Sequence, residues 1–220
     1  MKEAAIKTSA VNLLLLFFTA GSEVAQGISA AVQKIAAPYL EDRGKFSLML
    51  LVINIALSLF VVLLLTTRCG QHRSMLCYEL RGGNRERVFW AQKRDLYQYF
   101  GMIAVGKVGT DVLFNAILGT VDGADMLCLE LCFLLTGAMW LEAAYLVGLQ
   151  AWSRGVGLFV PLVLVLFSNL IFPYVKYTSL FAYAYAYRSL CVGDMLLKGA
   201  AILALWYVGR RVICREDFLD

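Results

Sequence analysis

The chain has 220 residues, of which 60% are hydrophobic and only 16% are charged, and its mean hydropathy is +0.70. This hydropathy is too high for a soluble domain of this size and indicates an integral membrane protein. The net charge of +4 is too small to indicate a nucleic-acid-binding protein or an enzyme that acts on acidic substrates.

Six apolar stretches are long enough to cross a hydrocarbon core, which is roughly 30 Å thick and takes about 20 helical residues. The sequence therefore predicts an all-α integral membrane protein with six transmembrane helices, built as one transmembrane domain over residues 1–220. The predicted spans are residues 6–26, 46–67, 99–120, 125–149, 156–175 and 195–213.

The first stretch also has features of a signal peptide, because Lys2 and Lys7 precede a short apolar run. No clear A-x-A cleavage site follows, and Glu3 is unusual in the basic start of a signal peptide. We therefore expect this stretch to be retained as a span.

The lysines and arginines set the expected orientation, because cytoplasmic loops of membrane proteins carry an excess of them. With Met1 inside, the inner segments hold thirteen of these residues and the outer segments hold five, while Lys107 and Lys198 fall within spans. The sequence therefore predicts that both termini are cytoplasmic.

The segment of residues 68–97, between the second and third spans, is the largest inner connection and concentrates the charge. Gly82 and Gly83 interrupt a helical pattern, Asn84 is a favourable N-cap, and Glu86 in the first turn suits the helix dipole. We expect an amphipathic helix at the cytoplasmic membrane surface that runs into the third span. Its predicted apolar face consists of Val88, Phe89, Gln92, Leu96 and Phe100.

Two interpretations of this segment assign different functions to its charged residues. Anchoring by the positive-inside rule explains the arginines. A docking surface for a cytoplasmic protein also explains the Gly-Gly break and the length of the connection.

Residues 101–108, GMIAVGKV, come close to the phosphate-binding motif G-x-x-x-x-G-K-[ST]. Val108 stands where the motif needs a hydroxyl for magnesium, and the segment lies within a predicted span instead of between a strand and a helix. We therefore expect no ATP site here, so that any ATP used would be bound by another chain.

Several ionisable residues lie within or near the predicted spans, where a charge is costly and often functional. Lys107 and Asp111 are four residues apart on one helical face and could neutralise each other, or Asp111 could pair with Lys198. A proton or ion pathway and packing between helices or subunits both remain open. The residues concerned are Lys107, Asp111, Glu130, Glu142 and Lys198.

The last outer segment contains the alternating sequence FAYAYAYRSL. Aromatic rings at the outer interface commonly anchor a protein in the membrane. Alternatively, they line an exit vestibule for an amphipathic substrate. The rings are those of Phe181, Tyr183, Tyr185 and Tyr187.

Motifs of membrane enzymes are missing from the sequence, which has no HExxH and no DxD. A single histidine, His72, argues against a zinc or haem site. We therefore predict no catalytic residues and no metal site on this chain.

The sequence RGGNRERVFWAQKRDLYQYF resembles a segment that small membrane subunits of type-2 ABC transporters carry between spans two and three, of the form R-x-x-[SN]-R-x-x-[WF]-x-x-x-K. Arg81, Asn84 and Arg85 match it, and Phe89 or Trp90 then follows one or two residues later than the form places its aromatic residue, with Lys93 after it. The ending RRVICREDFLD is also similar to the basic, acidic and apolar ending of that family.

The resemblance is to the permease subunits encoded with bacterial lantibiotic and bacteriocin systems. It implies a non-catalytic permease in the bacterial cell membrane that pairs with a second permease, identical or paralogous, and with a separate ATPase that holds ATP and magnesium. The implied substrate is an amphipathic antimicrobial peptide, exported from the membrane. The implied ATPase contact, the coupling helix, comprises Arg81, Asn84, Arg85, Arg87, Phe89, Trp90, Lys93 and Leu96.

Two other functions remain open on the sequence. One is a membrane immunity protein, sensor or assembly factor that transports nothing. The other is an ion-coupled carrier that uses Lys107, Asp111 and Lys198.

Overall fold

The computed structural model describes residues 2–21, 58–72, 84–118, 123–150, 154–171 and 192–215, and all of them except Asn84 are helical. The predicted all-α class is therefore confirmed for the described part of the chain, and each predicted span overlaps a helix. The helices are α1 (Lys2–Gly21), α2 (58–72), α3 (Arg85–Leu118), α4 (Gly123–Gln150), α5 (Arg154–Ile171) and α6 (Val192–Arg215).

Helix α3 begins where the sequence predicts. The Oδ1 atom of Asn84 accepts a hydrogen bond from the backbone N–H of Glu86 at 3.0 Å, and its carbonyl accepts the N–H of Val88 at 3.1 Å. These bonds confirm Asn84 as the N-cap. The helix then continues for 34 residues, roughly 51 Å, through residues 101–108. A continuous helix has its backbone amides in use and cannot wrap them around a phosphate.

Helix α4 lies at the centre of the fold and packs against α3, α5 and α6, while α3 also packs against α1. Helices α3 and α6 run in opposite directions relative to α4. Helix α3 is antiparallel to α4, since Lys93 contacts Glu142 whereas Lys107 contacts Glu130. Helix α6 is parallel to α4, since Ile202 packs in the cluster of Met139 whereas Gly209 lies beside Tyr145. Helices α2, α4, α5 and α6 also meet in one apolar cluster. Its members include Val62, Met139, Trp140, Leu162 and Ile202.

The membrane topology is not shown by the helices alone. Within the described residues, one helical segment is long and apolar enough to cross a membrane, Phe133–Gln150, with a mean hydropathy of 1.3. A shorter apolar segment is Gly155–Leu164. A single such helix also occurs as the buried core of a soluble protein, so six spans and cytoplasmic termini stay predictions.

The third predicted span is out of register with the fourth. The ring of Phe100 lies beside that of Phe133, with centroids 6.2 Å apart, and also faces Gly137. The predicted start of the third span is therefore level with the middle of the fourth, about 12 residues or 18 Å from its inner end. Val62, Met139, Leu162 and Ile202 pack in one cluster, which lies about 5 to 11 residues from the predicted inner ends of spans two, four, five and six.

Residues 88–97 therefore lie beside the C-terminal parts of α2, α4 and α6 and not beyond them. The sequence interpretation placed this segment in a charged cytoplasmic connection between the second and third predicted spans. In the structure several of those charges are neutralised by partners on other helices, as described below.

Candidate functional site

The charged half of α3, residues 85–100, is the best-defined polar site in the described part of the chain. Its apolar side is fully covered, and Phe89 and Leu96 have no exposed surface. Gln92 and Phe100 are also buried. Helices α2, α4 and α6 contribute to the buried cluster around this face, so the predicted amphipathic face packs on protein.

A buried ion pair joins this half of α3 to α4. The Nζ atom of Lys93 contacts Oε2 of Glu142, and the Tyr97 hydroxyl donates a hydrogen bond to Oε1 of the same carboxylate at 2.7 Å. Glu142 has no exposed surface, and both of its oxygens are bonded. Lys93 Nζ also lies 3.9 Å from the ring centre of Tyr145, a cation–π contact. A charge buried this deeply is tolerated because its partner is in place.

A second ion pair joins the charged half to α2. Arg68 donates two hydrogen bonds to Asp95, each of 3.0 Å, in a forked geometry that carboxylates favour. His72 Nε2 lies 2.8 Å from Oδ2 of the same carboxylate. The guanidinium of Arg68 also lies 5.7 Å from the ring centre of Tyr99. This pair fixes the end of α2 against α3.

Aromatic packing and an exposed ion pair join the start of α3 to α6. The ring of Trp206 lies 5.6 Å from that of Phe89 and 5.5 Å from that of Trp90. One turn further along α6, Arg210 pairs with Glu86. The charged half of α3 is therefore held by three neighbouring helices at once.

The structure divides the eight predicted contact residues into three groups. Arg81 lies outside the described residues. Phe89, Lys93 and Leu96 face inward and are covered by this chain itself, so their side chains offer no surface to another protein. Four remain at least partly accessible, namely Asn84, Arg85, Arg87 and Trp90.

Sequence reasoning missed Arg94, which is exposed on the same face as Arg87 and Trp90. The spacing 87, 90, 94 is the signal that could have found it, since residues three and four apart share a helical face. Neither Arg87 nor Arg94 has an ion-pair partner among the residues that the structure describes.

A separate cluster surrounds Lys107. Its Nζ atom lies 2.6 Å from Oδ2 of Asp111 and 2.9 Å from each oxygen of Glu130, so the predicted pairing of Lys107 with Asp111 is confirmed. Glu130 was not predicted as a partner. Lys198 is buried on α6, and Glu142 belongs to the Lys93 pair instead. The predicted vestibule, Phe181, Tyr183, Tyr185 and Tyr187, lies outside the described residues.

The thiol of Cys69 is buried beside the Lys93–Glu142 pair, and burial raises its pKa to about 12 although the charge of Lys93 opposes the shift. Cys214 is exposed at the end of α6. Because only a thiolate reacts quickly with maleimide, we expect a chain whose sole cysteine is Cys214 to be labelled at pH 7.5. A chain whose sole cysteine is Cys69 should stay unlabelled until it is denatured. Equal labelling rates in the folded state would contradict the burial of α2 against α3.

The described residues contain no group of three or more His, Cys, Asp or Glu side chains arranged to hold a metal ion. Their polar chemistry consists of ion pairs that join helices, with a basic and aromatic stripe exposed on α3. Compared with known proteins, this chain is matched by no family model, no curated protein and no solved structure.

Proposed function

We propose that this chain is a membrane-spanning permease subunit of a bacterial ABC exporter. It would pair with a second permease subunit and a separate ATPase, and would move an amphipathic substrate such as an antimicrobial peptide out of the membrane. One observation carries the proposal: the charged half of α3 is joined to α2, α4 and α6 by ion pairs and aromatic packing. A force applied at the start of α3 would therefore move four helices together.

The distribution of apolar surface supports a location in the membrane. Large aliphatic side chains are exposed on α3, α4 and α6, although soluble monomers rarely expose extended apolar surfaces. Lipid would cover this surface. The most exposed of these side chains are Val105, Leu113, Ile117, Leu127, Leu196 and Leu203.

Pairing of the buried charges also fits this location. An isolated charge in hydrocarbon costs at least about 2.5 kcal/mol. Lys93 and Lys107 both reach carboxylates on α4, a pattern that lets charged helices pack within a layer that excludes water. Ionisable residues that lie within a membrane and pair with other groups of the protein often belong to functional sites.

The ATPase contact in this proposal is the inner end of α3, with Arg81, Asn84 and Arg85. Phe89, Lys93 and Leu96 are excluded because they are buried, and replacing them would disturb folding. The buried residues would instead carry the movement into the bundle.

Charge reversal at this end tests the proposal. We expect Arg81→Glu with Arg85→Glu to reduce co-purification of the ATPase at least tenfold and to abolish substrate-stimulated ATP hydrolysis, because charged contacts at interfaces are worth about 2 kcal/mol or more. The control is Arg211→Glu, the same change at an exposed site on α6. If the double variant keeps both the complex and the stimulated hydrolysis, the proposal fails.

The cluster of Lys107 with Asp111 and Glu130 favours a second candidate, an ion-coupled carrier. Two carboxylates on one ammonium group form an arrangement that can bind and release a proton. Such a carrier would transport substrate in proportion to the proton gradient and would continue after ATP depletion. Transport that stops when ATP is removed would rule it out.

A further inference from the structure

The outward face of α3 changes in character along a single stripe. Its exposed side chains lie on one side of the helix and are first basic and aromatic and then aliphatic. Successive positions on this side are three or four residues apart, with Gly101 and Val108 filling the longer gaps between the exposed side chains. Trp90 and Val105 are 51% and 65% exposed. In chain order the stripe consists of Arg87, Trp90, Arg94, Tyr97, Val105 and Val112.

Its positive charge is left without a counterion in the described part of the chain. The neighbouring acids are already occupied, Glu86 by Arg210 and Asp95 by Arg68. Arg87 and Arg94 are seven residues apart, roughly 10 Å along the axis. Two long side chains at this separation can approach one phosphate from opposite sides, with the ring of Trp90 between them.

Beyond Tyr97 the stripe offers a smooth apolar path. A Cβ atom added at Gly101 or Gly109 would meet nothing within 4 Å, so the helix surface there is open. Val105 and Val112 border these glycines. From Tyr97 to Val112 the path is roughly 22 Å long, which exceeds the depth of one leaflet, about 15 Å.

Depth decides between a lipid and a protein as the occupant. Arg94 adjoins Lys93, whose partner Glu142 lies on α4 seven residues before the predicted inner end of that span. Seven residues correspond to roughly 10 Å, which places the backbone at Arg94 inside the predicted membrane layer and out of reach of a cytoplasmic protein. The long Arg94 side chain extends from there toward the interface, where basic and aromatic side chains are enriched.

We propose that the stripe binds one phospholipid of the inner leaflet, with the phosphate between Arg87 and Arg94 and an acyl chain along Gly101 and Val105. An anionic headgroup such as phosphatidylglycerol is preferred, because the choline group of phosphatidylcholine would bring a positive charge to two arginines. The inference rests on the proposed function only for the placement of the chain in a membrane.

Thermal unfolding of the full chain in a non-ionic detergent tests the site, because a ligand that binds the folded state raises the Tm. The probes are phosphatidylglycerol and phosphatidylcholine with two eight-carbon chains, and inorganic phosphate. We expect a saturable rise in Tm with phosphatidylglycerol, a smaller rise with phosphatidylcholine, and none with phosphate at the same concentrations.

Two variants separate the headgroup from the acyl chain. Arg87→Gln with Arg94→Gln should weaken phosphatidylglycerol binding at least tenfold, since two charge-assisted hydrogen-bonding groups are lost. Gly101→Leu, which fills open space, should weaken binding by closing the acyl path. Arg211→Gln removes an exposed charge elsewhere and should leave binding unchanged.

Several results would overturn the inference. These are an unsaturable shift, an equal shift with phosphate, an equal shift in the Arg87/Arg94 variant, or loss of the shift in Arg211→Gln. Loss of the ATPase from the Arg87/Arg94 variant with the lipid shift intact would also overturn it, by assigning the stripe to a protein, and would leave the proposed function standing. Lipid binding in a chain that has no ATPase partner would remove the proposed function and leave this inference standing.

Discussion

Replacing Glu142 with leucine is expected to lower the free energy of unfolding by about 3–5 kcal/mol, which makes it one of the most damaging single substitutions in the chain. Leucine has a similar size, so the loss is electrostatic. Lys93 is buried and would have no carboxylate beside it, so that it must either carry an unpaired charge or give up its proton, and both cost stability. The Tyr97 hydroxyl would also lose its acceptor. A denaturant titration of the purified chain in detergent, followed by helix content, measures the change.

The double variant Lys93→Met with Glu142→Leu is the matched control. It removes both charges and leaves apolar groups of similar volume, and such replacements of buried pairs are often neutral. We therefore expect it to recover most of the lost stability, whereas Lys93→Met alone should be nearly as damaging as Glu142→Leu. Tyr97→Phe should cost only about 1 kcal/mol, the net value of one hydrogen bond. Additive effects of the two single substitutions would show that the pair does not form.

This ion pair also marks the limit of what the sequence could predict. Asn84 as N-cap and the helix that follows depend on neighbouring residues, and the structure confirms them. Lys107 and Asp111 are four apart on one helix, so their pairing was also predictable. Lys93 and Glu142 are 49 residues apart, and nothing in either local sequence indicates that they meet.

The position of the charged half of α3 relative to its neighbours depends on long-range contacts of the same kind. When the helix is considered alone, the charges of Lys93, Arg94 and Asp95 indicate a boundary between cytoplasm and membrane. Packing of Phe100 against Phe133 fixes a different register, in which these charges lie beside α4. Once Lys93 has Glu142 and Asp95 has Arg68, a charged helix end can lie against its neighbours. Tertiary pairing, which no local stretch of sequence contains, decides the register between α3 and α4.

The covered face of the coupling helix shows a similar limit. The apolar positions Phe89, Leu96 and Phe100 were predicted correctly as one face, but the sequence did not indicate what covers it. An apolar face of this kind can be covered by lipid, by another protein or by other helices of the same chain. Here other helices of the chain cover it, through Tyr145 and Trp206. The surface left for a ligand is therefore the opposite, basic side of the helix.

Gly106→Ala is expected to destabilise the chain by about 1–3 kcal/mol, although alanine is the better helix former. A Cβ atom at residue 106 would lie 2.5 Å from the backbone oxygen of Ala5 on α1. The Ser9 hydroxyl also donates a hydrogen bond of 3.0 Å to the Gly106 carbonyl, so the two helices touch along their backbones. A single backbone atom of a helix cannot move without its neighbours, so the whole of α1 would have to shift away from α3. Amide hydrogen exchange should therefore rise in α1 while α4 and α6 remain protected.

Other glycines in the bundle provide the controls that make this test specific. At Gly101, also on α3, an added Cβ meets nothing within 4 Å, so Gly101→Ala should stabilise by up to about 1 kcal/mol through helix propensity. At Gly137 the obstacle is the ring of Phe100, a side chain that can turn aside, so Gly137→Ala should cost less than Gly106→Ala. We therefore expect Gly101→Ala to be the most stable of the three variants, Gly137→Ala to be intermediate and Gly106→Ala to be the least stable. If Gly106→Ala proves as stable as Gly101→Ala, α1 does not pack on α3 in the way described, and the proposed bundle loses its first helix.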